Sequence, residues 1–218
     1  MGIFYFPTNF IYWENVENHE NIKNILMNEI SKIEPLYKYN GKDNNGLSHA
    51  STNYESHEDR FTKILANNSL LEELVWKPMD NSLSELNSLP NFQQIEFSRS
   101  CILNSWYTKY DKNGQFNLHN HYGDNVKILD REIYRPTLSL IYILHDENEK
   151  NSTEFILPSA APISLLDIQH QTYNTGDNKE IKEGTIIVFP SSMYHQVKPV
   201  KIPGRITIAV NIASKFKK

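Results

Sequence analysis

The feature that most limits what this chain can fold into is a change of period near residue 94. Before it, apolar residues recur at helical spacing. After it, short segments rich in β-branched and aromatic residues follow one another, separated mostly by Gly, Pro, Asn or Asp. These segments are 95–110, 115–121, 136–145, 153–157, 163–170, 184–189, 194–200 and 205–213. About eight short strands with no helical pattern between them predict a mainly β architecture, a double-stranded β-helix of the jelly-roll or cupin-like kind. The first half supplies the helices. In HENIKNILMNEISKIE (19–34), Ile22, Ile25, Leu26, Ile30 and Ile33 form one apolar face, ending before Pro35. A second helix is expected from Glu58 to Leu74, weakened at Asn67-Asn68, and a third over Ser82–Leu89. Residues 35–55, rich in Asn, Gly, Ser and Tyr without periodicity, read as a long loop. The expected organisation is a helical and loop-rich support over 1–93 that buttresses a β-helix core over 94–218.

With 218 residues, the chain is long enough for one sizeable core. No apolar run approaches the ~18–20 residues that a bilayer span requires. The N-terminal MGIFYFPTNFIYW lacks the basic region and cleavage site of a secretory signal. A single cysteine, Cys101, fits a reducing compartment, so a cytoplasmic location is expected. A net charge of −4 and a pI near 6.1 give no footprint for nucleic acid.

Three of the eight histidines stand out. In FNLHNHYGD, His119 and His121 are two apart, which on a strand puts both side chains on one face. His195 opens a strand after the Pro190-Ser191-Ser192 turn. The other histidines lie in polar stretches (His19, His49, His57) or near strand ends (His145, His170). The letters HNH are not the nuclease pattern, whose residues are separated and sit on a ββα unit. Ten residues after His195 comes Arg205, opening RITIAVNI. Ile206, Ile208, Val210 and Ile212 share one face of that strand; Arg205, Thr207, Ala209 and Asn211 share the other. If the Ile face packs against the helices, Arg205 and Thr207 point into the barrel. A buried guanidinium requires an anionic partner. No acidic residue on a neighbouring strand is an obvious one, and a small-molecule carboxylate held by Arg205 with Thr207 would meet the need.

These residues resemble the 2-oxoglutarate and Fe(II)-dependent oxygenases. HNHYGD … LSLIYIL … EGTIIVFPSSMYHQV … RITIAVNI is similar to the 2OG-Fe(II) oxygenases of many tailed phages and marine bacteria, which show H-x-H, a Phe-Pro turn before the distal His, and an Arg-Ile-Ser strand. The resemblance covers about residues 98–213. It implies Fe(II) held by His119 and His195, and 2-oxoglutarate bound through Arg205 and Thr207. Tyr142 would donate to the same carboxylate, and Asn104 and Trp106 would line the cosubstrate pocket. It also implies a hydroxylase that turns 2-oxoglutarate into succinate and CO2, with O2 as co-reactant and a phage-infected bacterial cell as one setting. The broad superfamily carries Asp or Glu where this chain has His121, and three readings stay open. His121 is a third imidazole ligand, or Asp124 supplies a carboxylate from the loop, or His121 lies behind the metal. The prime substrate is unknown, a prolyl or other amino-acid side chain of a protein or peptide being one expectation. Loops 35–57 and 122–135, with Tyr122, Arg131, Tyr134 and Arg135, are expected to face it. Two other functions compete: a cupin-like three-His metalloenzyme that does not use 2-oxoglutarate, and a non-catalytic jelly-roll binding module.

Overall fold

A computed structural model describes residues 2–6, 9–33, 37–39, 47–53, 60–90, 94–122, 127–129, 132–147, 152–157 and 171–216. The expected strand over 163–170, Asp124 and Arg131 lie outside them. Thirteen strands run β1 (Gly2–Phe6), β2 (Asn9–Asn15), β3 (Tyr37–Tyr39), β4 (Leu47–Thr52), β5 (Phe97–His119), β6 (Lys127–Leu129), β7 (Glu132–Tyr134), β8 (Leu138–His145), β9 (Thr153–Leu157), β10 (Gln171–Asn174), β11 (Thr185–Pro190), β12 (Tyr194–Val197) and β13 (Ile206–Phe216). The order β1-β2-β11-β8-β13-β5-β12-β9-β10 is one continuous antiparallel sheet. It curls on itself, and β4, with β3 outside it, adds to β5. This is the predicted double-stranded β-helix. Among the described residues no helix is long and apolar enough to cross a membrane.

One strand joins the two halves of the curl. The 23-residue β5 pairs with β13 along its first part and with β12 near its end. It changes partner at a corner, where Asn113 takes a positive φ of 65°, Asn113 N–H donates to Val200 and Val200 N–H donates to Gly114. Gly114 is required there, because a Cβ would stand 2.6 Å from the His49 carbonyl oxygen and 2.8 Å from that of Asp111. Strands that carry a sheet around a corner commonly do so through such irregularities.

The helices cover the outer face. α1 (His19–Ser31) buries Ile22 and Leu26, and with α2 (Arg60–Asn67) and α3 (Lys77–Ser88) it packs on Leu140, Tyr142, Ile206, Ile208, Val210 and Ile212. The Ile face of β13 therefore points outward, as its parity predicts. The opposite face of the same strands, with Ile141, Ile143, Phe155, Ile187 and Phe189, fills the barrel.

Two expectations are corrected and a third is refined. Residues 35–55 are not simply a loop, since β3 and β4 lie there and pair with each other and with β5. The segments 95–110 and 115–121 are one bent strand. The helical stretch expected over 58–74 breaks where Asn67-Asn68 weakens it, and resumes as a π-helical turn at Glu72–Trp76 leading directly into α3. The break is a helix stop. Ser69 N–H bonds to Ala66 O and Leu70 N–H to Leu65 O, with Ser69 in the left-handed region at φ 56°. That pattern favours glycine. Ser69→Gly is expected to stabilise the protein by roughly 0.5–1 kcal/mol, read as a higher denaturant midpoint with an unchanged slope.

Candidate metal centre and anion pocket

Two strand ends bring the histidines together. His195 on β12 is directly opposite His119 on β5. His121 is past the end of the strand, not on it, and is placed by its own N–H, which donates to the Ser191 carbonyl at 2.9 Å. One ligand atom from each of His119, His121 and His195 falls within 4.8 Å of the others. The ring centroids of His119 and His195 are 4.2 Å apart, and those of His121 and His195 5.0 Å. Phe116 stacks on His119 at 3.9 Å, Trp106 lies 5.5 Å from His121, and Phe189 lies 4.9 Å from His195.

The electrostatics keep two of these rings neutral. Burial, reinforced by the neighbouring His119, lowers His121 to about 3. Burial and the two other histidines push His195 well below the usual imidazole range. The Nδ1 atoms of His119 and His195 face the carbonyl oxygens of Asn117 (2.7 Å) and Met193 (3.1 Å). A carbonyl only accepts, so both Nδ1 atoms carry a proton, and the neutral His195 ring presents a bare lone pair at Nε2. Three imidazoles converging on one point suit a first-row transition metal such as Fe, Ni or Zn.

Arg205 is completely buried, the largest fully buried side chain among those described. Its Nη2 donates to Thr153 Oγ1 at 3.3 Å, while Nε and Nη1 have no hydrogen-bond partner. It is not without an acidic neighbour, contrary to expectation. Asp146, just past the end of β8, puts Oδ2 3.6 Å from Nε, close enough for attraction but too long for a hydrogen bond. Because His145 is opposite Ile206, β8 delivers the next residue to the start of β13. Thr207 shares this face with Arg205, and Tyr110 brings its hydroxyl to Thr207, Thr108 and the guanidinium. Burial raises the Tyr110 phenol, with Arg205 acting in the opposite direction.

Tyr142, expected beside Arg205, points the other way. It belongs to the helix-facing core, and its hydroxyl is 2.6 Å from His19 Nδ1. Tyr110 holds the place foreseen for it, at even spacing from Trp106 on the same strand face. Trp106 faces the site, and Asn104, two residues earlier, has a buried Oδ1 without a hydrogen-bond partner. Tyr134, expected to face substrate, is 2% exposed and packs with Leu103 and Ala213, with the Lys215 ammonium 4.6 Å from its ring centre. Tyr122 is exposed at the mouth.

A second cluster stands behind the pocket. Glu183 accepts from the Asp146 N–H (2.7 Å), His145 Nδ1 (2.9 Å), His19 Nε2 (3.2 Å) and Lys23. It thus ties α1 to the sheet and fixes the backbone that carries Asp146. Burial works to raise this carboxyl, but the hydrogen bonds from Lys23, Asp146, His19 and His145 outweigh it and bring it down to about 2. A depressed carboxyl stabilises the fold above its unfolded pKa and loses that contribution as pH falls through the folded value. Between pH 4.5 and 2 the clasp is therefore expected to give up on the order of 1 kcal/mol, screened because solvent reaches the group. Glu183→Gln should remove that part of the acid transition in a denaturation series.

No protein-family model matches the chain, and no curated protein matches it. Solved structures do. HygX from Streptomyces hygroscopicus, with nickel, 2-oxoglutarate and hygromycin B bound, is 10% identical with a TM-score of 0.55, covering 94% of this chain and 82% of its own. HygX with iron bound gives 0.52 at 11% identity over the same shares. OsALKBH1 gives 0.55 at 12% identity, covering 96% and 99%. At these identities the likeness is one of fold, the double-stranded β-helix.

Proposed function

We propose that the protein is an Fe(II)- and 2-oxoglutarate-dependent oxygenase that hydroxylates a second substrate. The observation that carries this reading is a buried guanidinium with two unpartnered nitrogens at one end of a barrel whose other end holds three converging imidazoles. Between them, β13 runs from Arg205 to Ala209, which pairs with Trp106 beside His121. Four residues of strand span about 13 Å, a length that an arginine side chain and a five-carbon dicarboxylate cover together. The fold is that of proteins crystallised with iron or nickel and 2-oxoglutarate.

His119, His195 and His121 would hold the metal, and Asp124 is the loop alternative to His121. Bound there, iron(II) and 2-oxoglutarate would supply the activation of O2, with succinate and CO2 as coproducts. Arg205 binds the distal carboxylate through Nη1, the nitrogen engaged by neither Thr153 nor Asp146, in a charge-assisted pair. Thr207 and Tyr110 complete that pocket with hydroxyls, and Asn104 offers an acceptor beside Trp106. Ile141, Ile143 and Phe189 exclude water from the channel. Asp146 attracts the guanidinium at its Nε edge and Thr153 accepts from Nη2, which leaves Nη1 for the ligand. The second substrate approaches beside the exposed Tyr122, and a prolyl or other amino-acid side chain of a protein or peptide is the class expected there.

The test is an anaerobic titration of the metal-stripped protein with Fe(II) and then 2-oxoglutarate. A weak visible charge-transfer band that is lost in Arg205→Ala supports the reading. Iron binding without a band points instead to a three-His metalloenzyme that uses no 2-oxoglutarate, which the position of His121 also fits. Absence of metal binding leaves a non-catalytic module.

A further inference from the structure

The three histidines are not hydrogen-bonded alike. His119 and His195 each direct Nδ1 at a backbone carbonyl, which fixes the proton there. His121 Nδ1 faces a side chain instead, the amide of Asn211 at 3.5 Å. Ser139 Oγ bonds to that amide at 2.8 Å and to Ser191 Oγ at 2.9 Å. Asn211, Ser139, Ser191 and His121 are all buried. An amide and two hydroxyls can each donate or accept, so this chain, unlike a carbonyl, works in both directions.

Both directions have a use. His121 Nε2 lies 3.2 Å from His195 Nε2. The His195 nitrogen is bare, so the contact closes as a hydrogen bond when His121 carries its proton on Nε2 and accepts at Nδ1 from the Asn211 amide. In the reverse arrangement the proton sits on His121 Nδ1 and the turned Asn211 amide accepts it. Asn211 then donates to Ser139, and Ser139 to Ser191. One proton leaves Nε2 and one is taken at Nδ1, so the charge does not change. A fixed carbonyl behind His121 would instead force two bare nitrogens against each other in a buried site, an unfavourable contact.

We propose that Asn211, backed by Ser139 and Ser191, is a positioning residue that lets His121 become the third metal ligand by switching its tautomer. Asn211 holds the ring at Nδ1 whichever nitrogen carries the proton, and turns it into an Nε2 ligand when a cation enters. The inference rests on the three-imidazole reading of the metal centre. Partners behind a ligating imidazole typically change metal affinity 10–100-fold when removed.

The test uses the full chain labelled with 15N-histidine, stripped with a chelator and then loaded with zinc as a diamagnetic probe. Long-range 1H–15N spectra report which nitrogen of each ring carries the proton. Zinc is expected to move the His121 proton from Nε2 to Nδ1 while those of His119 and His195 remain on Nδ1. Asn211→Leu should weaken zinc binding 10–100-fold, and Asn211→Asp, which still accepts from Nδ1, should restore it. If His121 keeps its proton on Nε2 with zinc bound, or Asn211→Leu binds zinc like the wild type, the proposal fails and the metal centre stands without it. If zinc does not bind, or binds His195→Ala equally well, the metal reading itself falls. Should the leucine variant not fold, the wild-type spectra decide alone.

Discussion

Replacing Arg205 with methionine and Asp146 with leucine together should abolish 2-oxoglutarate binding while leaving the fold as stable as before, or more so. Arg205 has no exposed surface, and only one of its nitrogens is hydrogen-bonded. Its carboxylate neighbour is 3.6 Å away. Such a pair recovers little of its desolvation cost, and substituting apolar groups for buried pairs is often neutral or stabilising by ~1–4 kcal/mol. The single change Arg205→Met should behave differently. It removes the cation beside a buried carboxylate, a situation that typically costs ~3–5 kcal/mol. Thermal melts of the two variants, with and without 2-oxoglutarate, check both halves. A double variant that still gains stability from 2-oxoglutarate at wild-type concentrations would remove Arg205 from the pocket. A ligand carboxylate would complete a guanidinium that its protein neighbours satisfy poorly.

The second large effect concerns acid. His121 and His195 are held neutral in the folded chain, the former down to about 3. In the unfolded chain both titrate near 6.5. Below that value the unfolded state binds protons that the folded state refuses, so stability falls as pH decreases. Each histidine contributes up to about 1.4 kcal/mol per pH unit. By pH 5 His121 alone removes roughly 2 kcal/mol, and His195 acts in the same direction, against the ~5–15 kcal/mol that domains possess. Metal-stripped protein should accordingly lose stability in mild acid, well above the range where Glu183 titrates. Urea midpoints at pH 7, 6 and 5 measure it. A flat profile would mean that the rings take up protons while folded. A bound divalent cation should oppose the loss by holding the folded form.

Much of the site was legible in the sequence, and the failures have physical reasons. On β13 one face is uniformly Ile or Val and the other polar, so alternation fixed which side Arg205 and Thr207 occupy. On β8 every residue from Leu138 to Leu144 is buried. A strand covered on both faces shows no alternation, and Tyr142 could be placed on either side. It lies on the helix side. Asp146 was overlooked because its nearness to Arg205 comes from strand register between residues some sixty apart in sequence. The pairing of β4 with β5 is non-local in the same way, and an Asn- and Gly-rich surrounding hides its six residues. β1 and β2 pair with each other at the edge of the sheet, and β2 also pairs with β11. Their near-continuous apolar letters carry no period to read. Asn211 was visible on the polar face of β13, yet only the position of His121 beyond the strand end gives it something to hold.

β5 acts as a ruler laid through both halves of the barrel, with Trp106 and Tyr110 marked on one side of the corner and His119 on the other. Graduations on such a ruler come in twos. A single residue inserted between Asn113 and Phe116 leaves the anion pocket's marks where they are and turns every later one over, sending His119 outward. Two residues restore the facing but carry it about one step too far. Length at this corner is thus quantised, and tolerance to insertion here should be low.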